Sequence, residues 1–252
     1  MSAPELLYGH RPPGTFGVGA KPLSADGRGE VVLKEVFIHY ALFELPMADV
    51  LPRLPASLHP SVPAVLGITV WRCPDGPLGP FALAYAGVAC RTGIKPRHLI
   101  HGAWCDNPEV AGWFEGRYGL RTRAARIQNL ETYDRAWSRV EVEGKPVLDL
   151  ASERTQPLVA GSTVKYSPIL NPAAFADGVA LVQMEVAFDF RRVMRGVPRA
   201  GVFAAEAFGD AGLRPHYPVS GTWAEVEVTL LPPRFRLDLT VPAEAGGAGR
   251  IT

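Results

Sequence analysis

Residues 79–91 read GPFALAYAGVACR, an unbroken apolar run between a Gly-Pro pair and an arginine. Similar runs, rich in β-branched and aromatic residues, occur at 32–45 (VLKEVFIHYALFEL), 64–73 (AVLGITVWRC), 135–144 (RAWSRVEVEG), 179–190 (VALVQMEVAFDF) and 222–231 (TWAEVEVTLL). Many of them alternate with period two and end at Gly, Pro, Asp or Asn, which is typical of strands. Because no long helix separates these runs, they favour antiparallel sheets that form a sandwich or a closed barrel.

One helix is well marked, in the segment CDNPEVAGWFEGRYG at 105–119. Asp106 or Asn107 can cap its N-terminus, Pro108 suits its first turn, and Gly119 can end it in the left-handed conformation. The next residues, RTRAARIQNL, are predicted to form a strand. The later run GVFAAEAFGDAGL fits helix and strand equally well.

The composition favours one globular domain with a large core. The chain has 252 residues, of which 47% are hydrophobic, and its 26 basic and 25 acidic residues nearly cancel. A protein without a broad positive field is a poor ligand for phosphate backbones, so we expect no nucleic-acid partner. We assign residues 1–30 to an irregular N-terminal arm, 31–242 to a single domain, and 243–252 to a flexible tail that is too poor in apolar residues to pack.

Targeting signals and cysteine usage indicate a cytoplasmic protein. The N-terminus MSAPELLYGHRPPG lacks the apolar core of a secretory leader, and no apolar run approaches the roughly 20 residues of a membrane helix. The three cysteines (Cys73, Cys90 and Cys105) form an odd and sparse set, which favours reduced thiols over a disulfide framework.

Several motifs for cofactors or metals fail on their context. GTFGVG at 14–19 imitates a phosphate loop, but no strand precedes it and no P-loop lysine follows. His98 and His101 would point to opposite faces of a strand, and neither a C-x-x-C nor an H-E-x-x-H motif accompanies them. We therefore expect no cofactor and no metal, and interpret these histidines, like His39, as packed or surface residues.

The middle of the chain resembles the acetoacetate decarboxylase family over roughly residues 35–240. The segments that carry the resemblance are, in order, LPRLPASLHPSVPAV, GPLGPF, the Asp106-Asn107 helix start, GLRTRAARI and LLPPRFRLDL. The resemblance implies a mainly β fold with a few short helices, in which a closed, cone-like barrel surrounds an apolar cavity, and it implies a homo-oligomer. It also implies decarboxylation through a lysine Schiff base, with a second lysine, an arginine and two glutamates in the pocket.

This sequence departs from the family pattern at all five functional positions. Counting without a gap from Asp106 places the family's Pro-Lys-Lys segment on residues 121–123, so that Thr122 stands at the nucleophile and Arg123 at the neighbouring cation. The same register puts Val36 at the arginine, and Ile68 and Leu83 at the two glutamates. Threonine cannot form an imine and arginine stays protonated, so we predict that the protein is not a decarboxylase.

Period-two alternation from these positions identifies polar groups that would face the cavity. The candidates for catalysis are Tyr40, Tyr85, Arg91, Thr122 and Arg123; the candidates for substrate binding are Val36, Ile68, Leu83, Trp104 and Leu120. We expect Arg123 to lie at the cavity rim, where it can hold a carboxylate or enolate oxygen. Arg121 and Arg126 should be solvated or paired with surface acids such as Glu115.

Three functional hypotheses follow for a small-molecule ligand, with no membrane involved. The first is an enzyme without a Schiff base, of lyase, dehydratase, isomerase or cyclase type, acting on an apolar carbonyl compound, with secondary metabolism as its candidate role. The second is a binding protein for a hydrophobic metabolite. The third is a lysine-dependent lyase that has recruited Lys34, Lys95, Lys145 or Lys165 from another wall.

Overall fold

The computed structural model describes residues 7–24, 29–93, 95–158, 164, 166–245 and 247–251. Its strands are β1 (Val31–Glu44), β2 (His59–Pro60), β3 (Val65–Cys73), β4 (Phe81–Thr92), β5 (Lys95–Cys105), β6 (Arg123–Ala124), β7 (Arg126–Glu131), β8 (Arg135–Val142), β9 (Lys145–Pro157), β10 (Ile169–Phe175), β11 (Gly178–Met184), β12 (Val186–Phe203), β13 (Pro218–Leu230), β14 (Phe235–Asp238) and β15 (Ala248–Arg250). The α-helices are α1 (Met47–Val50) and α2 (Pro108–Tyr118), and short 3-10 helices span Pro13–Thr15, Leu51–Arg53, Ala205–Phe208 and Ala243–Ala245. The predicted mainly β class is confirmed. Neither α-helix in this part of the chain has the length and apolarity to cross a bilayer.

Backbone hydrogen bonds join the strands into one sheet in the order β15-β14-β11-β10-β5-β4-β3-β1-β13-β12-β9-β8-β7, with β2 added to β4 and β6 to β5. The pairing is antiparallel except that β10 and β6 run parallel to β5. Within the described residues the sheet has two ends, β15 and β7, so the predicted closed barrel is not confirmed. At the β7 end, the side chain of Asn129 links β7 to two central strands. Its Nδ2 donates to the carbonyls of Phe37 in β1 (2.9 Å) and Val70 in β3 (3.1 Å).

The central strands bury apolar side chains on both faces. Residues that pair across antiparallel strands point to the same side, so one row contains Tyr40, Thr69, Tyr85 and Ala103, and the next contains Ala41, Ile68, Ala86 and Gly102. We call the two sides the Tyr40 face and the Ile68 face. A different hydrophobic cluster covers each face. This explains why β4 is apolar throughout: every residue from Phe81 to Cys90 is buried.

Helix α2 forms as the sequence predicts and covers the Tyr40 face. Asn107 is the cap, because its Oδ1 accepts from the backbone N–H groups of Glu109 (3.0 Å) and Val110 (3.3 Å). Gly119 ends the helix in the left-handed conformation with φ of 66°. Phe114 is fully buried in the Tyr40-face cluster, and burial of such a side chain stabilises the fold by about 1.5–3 kcal/mol.

His39 supports the opposite face as a structural residue. Its imidazole lies between the hydroxyls of Ser138 in β8 (2.8 Å) and Ser152 in β9 (2.9 Å), and Ser138 also donates to Asn129 Oδ1 (3.1 Å). His39 is completely buried, and burial lowers its pKa to about 3. The neutral ring therefore ties β1 to the β8–β9 hairpin by side-chain hydrogen bonds.

The structure adds detail at three segments of the sequence analysis. The strand predicted in RTRAARIQNL is divided into β6 and β7 at Ala125. The ambiguous run GVFAAEAFGDAGL contains both the end of β12 and the 3-10 helix Ala205–Phe208. The predicted flexible tail contributes β15, which pairs with β14, although residues 246 and 252 lie outside the described part.

The N-terminal arm, which the sequence predicts to be irregular, makes contacts with the rest of the domain. Residues 1–6 and 25–28 of the arm lie outside the described part. The N–H groups of Gly9 and Arg11 donate to the carbonyls of Leu58 (3.1 Å) and Leu54 (2.9 Å). Pro22 forms an isolated bridge with Ala174. These bonds hold the arm against the segment before β2 and against β10, and the arm helps to form a cleft described below.

Candidate functional site

A small pocket opens on the Tyr40 face where four central strands meet the segment that leads into β10. We call it the tyrosine pocket. It is lined by Tyr40, Thr69, Trp71, Tyr85, His98, Ile100 and Tyr166, with Gly67 at its floor and Met184, Val186 and Phe188 on the facing side. The space inside is about 30 Å³, which is enough for a water molecule. A larger ligand would therefore have to displace side chains.

Three tyrosine rings contribute hydroxyl groups to this pocket. Tyr40 and Tyr166 meet edge to face with centroids 5.0 Å apart, and Tyr85 lies beside Trp71 at 6.3 Å. Burial raises the pKa of Tyr40, Tyr85 and Tyr166 above the ordinary range. Each phenol thus stays protonated at neutral pH and can donate a hydrogen bond. The Tyr166 hydroxyl already lies 3.1 Å from Thr222 Oγ1.

His98 brings a neutral imidazole to the same pocket. Its side chain is 5% exposed, and its Nε2 has no hydrogen-bond partner among the described residues. Burial lowers the pKa of His98 to about 4, so the ring is uncharged at pH 7. The ring meets Tyr40 edge to face, with centroids 6.2 Å apart. A buried nitrogen without a partner is costly, which marks this atom as a candidate to contact a ligand.

The pocket is uncharged as far as the described residues show. No Arg, Lys, Asp or Glu belongs to its lining in this part of the chain. Trp71 Nε1 adds one further buried donor, which faces the Tyr85 hydroxyl. The arrangement can therefore donate hydrogen bonds to a neutral oxygen and accept a proton at His98. It offers no counter-charge to a carboxylate.

Four predicted site residues lie on the Tyr40 face. Tyr40 and Tyr85 line the pocket. Val36 and Leu83 are completely buried in the cluster on the same face, but they are packed core residues outside the pocket lining. The two tyrosines are thus brought together in the pocket, whereas Val36 and Leu83 pack in the core cluster of the same face.

Three predicted site residues lie elsewhere, which corrects the proposed single cavity. Ile68 and Trp104 belong to the cluster on the Ile68 face. The predicted register was wrong by one residue in β3, because Thr69, and not Ile68, pairs with Tyr40 and Tyr85. Arg91 is exposed near the end of β4, opposite His59 of β2, and does not line the pocket.

Thr122, Arg123 and Leu120 line a second depression. We call it the arginine cleft, formed by Arg11, His101, Arg121, Thr122, Arg123 and Asn171 together with Leu120 and neighbouring backbone. Ile100 lines both this cleft and the tyrosine pocket. As expected, Arg121 and Arg126 pair with surface acids, Arg121 with Glu115 at 3.6 Å and Arg126 with Glu141 at 3.7 Å.

His98 and His101 point into different depressions, in agreement with the argument against a zinc pair. A β-bulge in β5 lies between Ile100 and Gly102, where the pairing with β4 shifts by one residue, and a bulge re-aims the side chain it contains. Within the described residues there is no group of three or more His, Cys, Asp or Glu side chains placed to hold a metal ion.

The lysines proposed for a relocated Schiff base are outside the pocket where they are described. Lys34, Lys95 and Lys145 are exposed. Lys165, next to Tyr166, lies outside the described residues.

Comparison with known proteins adds the fold relationship. No protein-family model and no curated protein matches the sequence. Solved structures do match, among them acetoacetate decarboxylase from Legionella pneumophila, with 15% identity over 82% of this chain and 86% of that chain and a TM-score of 0.70. This chain has the acetoacetate decarboxylase fold.

Two other structures share the fold. The enduracididine biosynthesis enzyme MppR complexed with pyruvate has 16% identity over 81% of this chain and 89% of that chain, with a TM-score of 0.66. An acetoacetate decarboxylase-like enzyme from Sphingomonas wittichii RW1 has 14% identity over 90% and 94%, with a TM-score of 0.62. The predicted resemblance is thus confirmed for the fold. Because one fold hosts many activities, function has to be argued from this chain's own side chains.

The sequence analysis named only Tyr40 and Tyr85 of the pocket lining as site residues, and His98, Thr69 and Tyr166 are among those that it missed. His98 was considered only as a zinc ligand or packed residue, Thr69 was displaced by the one-residue register error, and Tyr166 lies in a segment without strand or helix signals. Period two along β3 could have found Thr69 if the register had been anchored at Tyr40. No local pattern marks Tyr166, because tertiary packing alone brings it to Tyr40.

Proposed function

We propose that the protein is an enzyme that acts on a small, apolar carbonyl compound by acid–base chemistry, without a Schiff base. The observation that carries this proposal is the convergence of Tyr40, Tyr85 and the unpartnered His98 Nε2 in one uncharged pocket. A site for storage alone would not need these groups together, since a buried polar atom without a partner costs free energy.

Protonated tyrosines and a neutral imidazole define the chemistry. Tyr40 or Tyr85 would donate a hydrogen bond to the carbonyl oxygen, while His98 would take a proton from the adjacent carbon, giving an enolate that the phenol stabilises and an imidazolium. The enolate can then expel a β-substituent, with the imidazolium giving its proton to the leaving group, or it can take the proton back at another carbon. The first outcome is a dehydration or related lyase reaction, and the second is an isomerisation.

The fold relatives are compatible with a carbonyl substrate. MppR has been seen with pyruvate, which is a small carbonyl compound. The uncharged pocket of this chain favours a substrate with less charge than pyruvate at the reacting end. The resemblance also implies a homo-oligomer, and light scattering coupled to size-exclusion chromatography would measure its mass.

Solvent exchange at carbon tests the proposal without knowledge of the natural substrate. A panel of apolar ketones and aldehydes is incubated with the protein in D₂O, and NMR follows deuterium incorporation next to the carbonyl. We expect wild type to accelerate exchange for the compounds that bind, and we expect Tyr85→Phe and His98→Gln to lose at least 90% of that rate while still binding them. Ligands that bind without any exchange would contradict an enzyme and support a binding protein for a hydrophobic metabolite.

The aromatic lining of the pocket favours this second hypothesis in one respect, because sites for small apolar ligands are lined mostly by hydrophobic and aromatic side chains. Native mass spectrometry of the purified protein would reveal a retained ligand. A retained hydrophobic compound that stays unchanged during prolonged incubation would support the binding protein.

Borohydride trapping addresses the relocated lysine. Protein incubated with a β-keto acid and borohydride should show no reduced adduct by mass spectrometry, because Thr122 cannot form an imine. An adduct on any lysine, Lys165 included, would contradict the proposal and favour a lysine-dependent lyase.

A further inference from the structure

The arginine cleft is a second cavity with a chemistry unlike that of the tyrosine pocket. It has a volume of about 420 Å³, within the range of sites for small molecules. The N-terminal arm forms one wall, the bulged part of β5 forms the floor, and the segment after α2 forms the other wall. No Asp or Glu belongs to its lining among the described residues.

Two arginines of this cleft lack a carboxylate partner. Within the described residues, neither Arg11 nor Arg123 has a carboxylate oxygen within 4.0 Å, whereas Arg121 is paired with Glu115 at 3.6 Å. Arg11 donates from Nε to Thr15 Oγ1 (3.1 Å), and Arg123 donates to the carbonyl of Ala207 and lies over the Trp104 ring at 4.8 Å. Burial lowers the pKa of both guanidinium groups.

The acid that acts electrostatically on Arg11 is already engaged. Asp210 raises the pKa of Arg11 against the larger effect of burial, but its carboxylate is paired with Arg53 at 2.7 Å. Arg123 is exposed and Arg11 is half-buried, so neither guanidinium requires a counter-ion for the stability of the free protein. Both cations are therefore available to an anion that enters the cleft.

Three further polar atoms of the cleft residues are buried without a partner among the described residues. They are His101 Nε2, Thr122 Oγ1 and Asn171 Nδ2. Asn171 is 1% exposed, so its amide cannot rely on solvent. An amide and a hydroxyl can donate to oxyanion oxygens, and so can a suitably protonated imidazole. The cleft therefore contains donors in addition to charge.

The arm contributes the glycine-rich segment GTFGVG, whose residues Thr15–Val18 line the cleft. Gly17 has φ of 66°, and a Cβ at this position would lie 2.6 Å from Val179 Cγ1. The segment can therefore lie close against β11 only with glycine at this position. It has neither the preceding strand nor the lysine of a phosphate loop, so any anion here depends on the arginines.

We propose that the arginine cleft binds an organic anion through a phosphate or carboxylate group. Arg11 and Arg123 would supply the charge, and Thr122 and Asn171 would donate hydrogen bonds. Ile100 is shared between the two cavities, so the anion would bind one side chain away from the tyrosine pocket. This binding site stands independently of the reaction proposed above, since it requires no turnover.

Calorimetric titration with two probes tests the site and distinguishes the two sources of negative charge. Pyrophosphate represents phosphate ligands and succinate represents carboxylates, each compared with sodium chloride at equal ionic strength. We expect one probe to bind wild type with a saturable isotherm, and Arg11→Gln and Arg123→Gln to weaken it at least tenfold. Preference for pyrophosphate assigns a phosphate group, and preference for succinate assigns a carboxylate.

Matched variants separate a built site from general charge effects. Arg126→Gln removes an exposed arginine that does not line the cleft, and it should leave the affinity within twofold of wild type. Thr122→Val removes a hydroxyl that has no partner, so it should keep the thermal stability of the free protein while weakening the probe at least threefold. Binding of neither probe above the chloride control, or equal loss in Arg126→Gln, would overturn the proposal.

Discussion

His98 and Tyr40 meet edge to face across Gly67, with ring centroids 6.2 Å apart and an interplanar angle of 87°. A Cβ on residue 67 would lie 2.7 Å from His98 Nε2 and 3.3 Å from Tyr40 Cε2. Glycine is therefore required for the approach of the two rings. The contact joins an acid candidate from β1 to a base candidate from β5, and the residue that permits it lies on β3.

Gly67→Ala should damage the tyrosine pocket. The added methyl group must displace His98 or Tyr40, and overpacking of this kind typically costs about 1–3 kcal/mol of folding free energy. We expect a lower midpoint of urea unfolding and at least a tenfold loss of ligand affinity or turnover. Gly112→Ala is the control, because a Cβ there meets nothing within 4 Å on helix α2, and it should stabilise the protein by about 0.5–1 kcal/mol. Unchanged ligand binding in Gly67→Ala would contradict the assigned pocket.

Two buried histidines, His39 and His98, and the half-buried His101 should make the protein sensitive to acid. Burial lowers the pKa of His39 to about 3 and that of His98 and His101 to about 4, whereas unfolded histidine titrates near about 6.5. The unfolded state therefore binds more protons below that pH, so stability is fully present above pH 6.5 and is lost as the pH falls toward 4. Each histidine should cost about 1–2 kcal/mol at pH 5 relative to pH 7.

Urea unfolding at a series of pH values between 5 and 7.5 measures this dependence. The slope of unfolding free energy against pH is proportional to the number of protons taken up on unfolding. His98→Gln should lower that number by up to one, because one buried titrating ring is removed. The exposed His216→Gln is the matched control and should follow wild type. An identical slope in wild type and His98→Gln would show that His98 is not buried in its neutral form.

His39→Ala should be strongly destabilising without affecting ligand binding. The substitution opens a cavity and leaves the hydroxyls of Ser138 and Ser152 without their imidazole partner. Such losses together cost about 2–5 kcal/mol. Denaturant unfolding would give the value, with His216→Ala, expected to lie within about 0.5 kcal/mol of wild type, as the surface control. A near-neutral effect would mean that the network does not hold β1 to β8 and β9.

Asn107 should show graded effects on helix α2. Its Oδ1 caps the helix, and its Nδ2 donates to the Pro80 carbonyl at 3.1 Å. Asn107→Asp keeps the acceptor and loses the donor, whereas Asn107→Ala loses both. We expect stability to fall in the order Asn, Asp, Ala, with a total loss of about 1–2 kcal/mol at alanine. Thermal unfolding followed by circular dichroism would measure the order, and equal stability of the Asp and Ala variants would contradict capping by Oδ1.

Local patterns were sufficient to predict much of the fold. The period-two runs predicted most of the long strands, and the Asn107–Gly119 signals predicted helix α2, because caps and alternation depend on neighbours in sequence. The ordered segments that resemble acetoacetate decarboxylase predicted the fold found by structural comparison. Closure of the sheet was beyond these signals, since it depends on which distant strand edges meet.

The site was predicted in part, and the limit has a physical reason. Tyr40 and Tyr85 were identified from sequence because they share a face by period two from Val36 and Leu83. Ile68 was assigned to the wrong face because the central strands are apolar on both sides, so alternation in hydropathy gives no sign of a one-residue shift. The register of β1 against β3 places Thr69, and not Ile68, on the same face as Tyr40. Tertiary packing adds His98 and Tyr166 to the pocket. The folded arm brought Arg11 to the cleft of Arg123, because contacts between residues far apart in the chain position the arm.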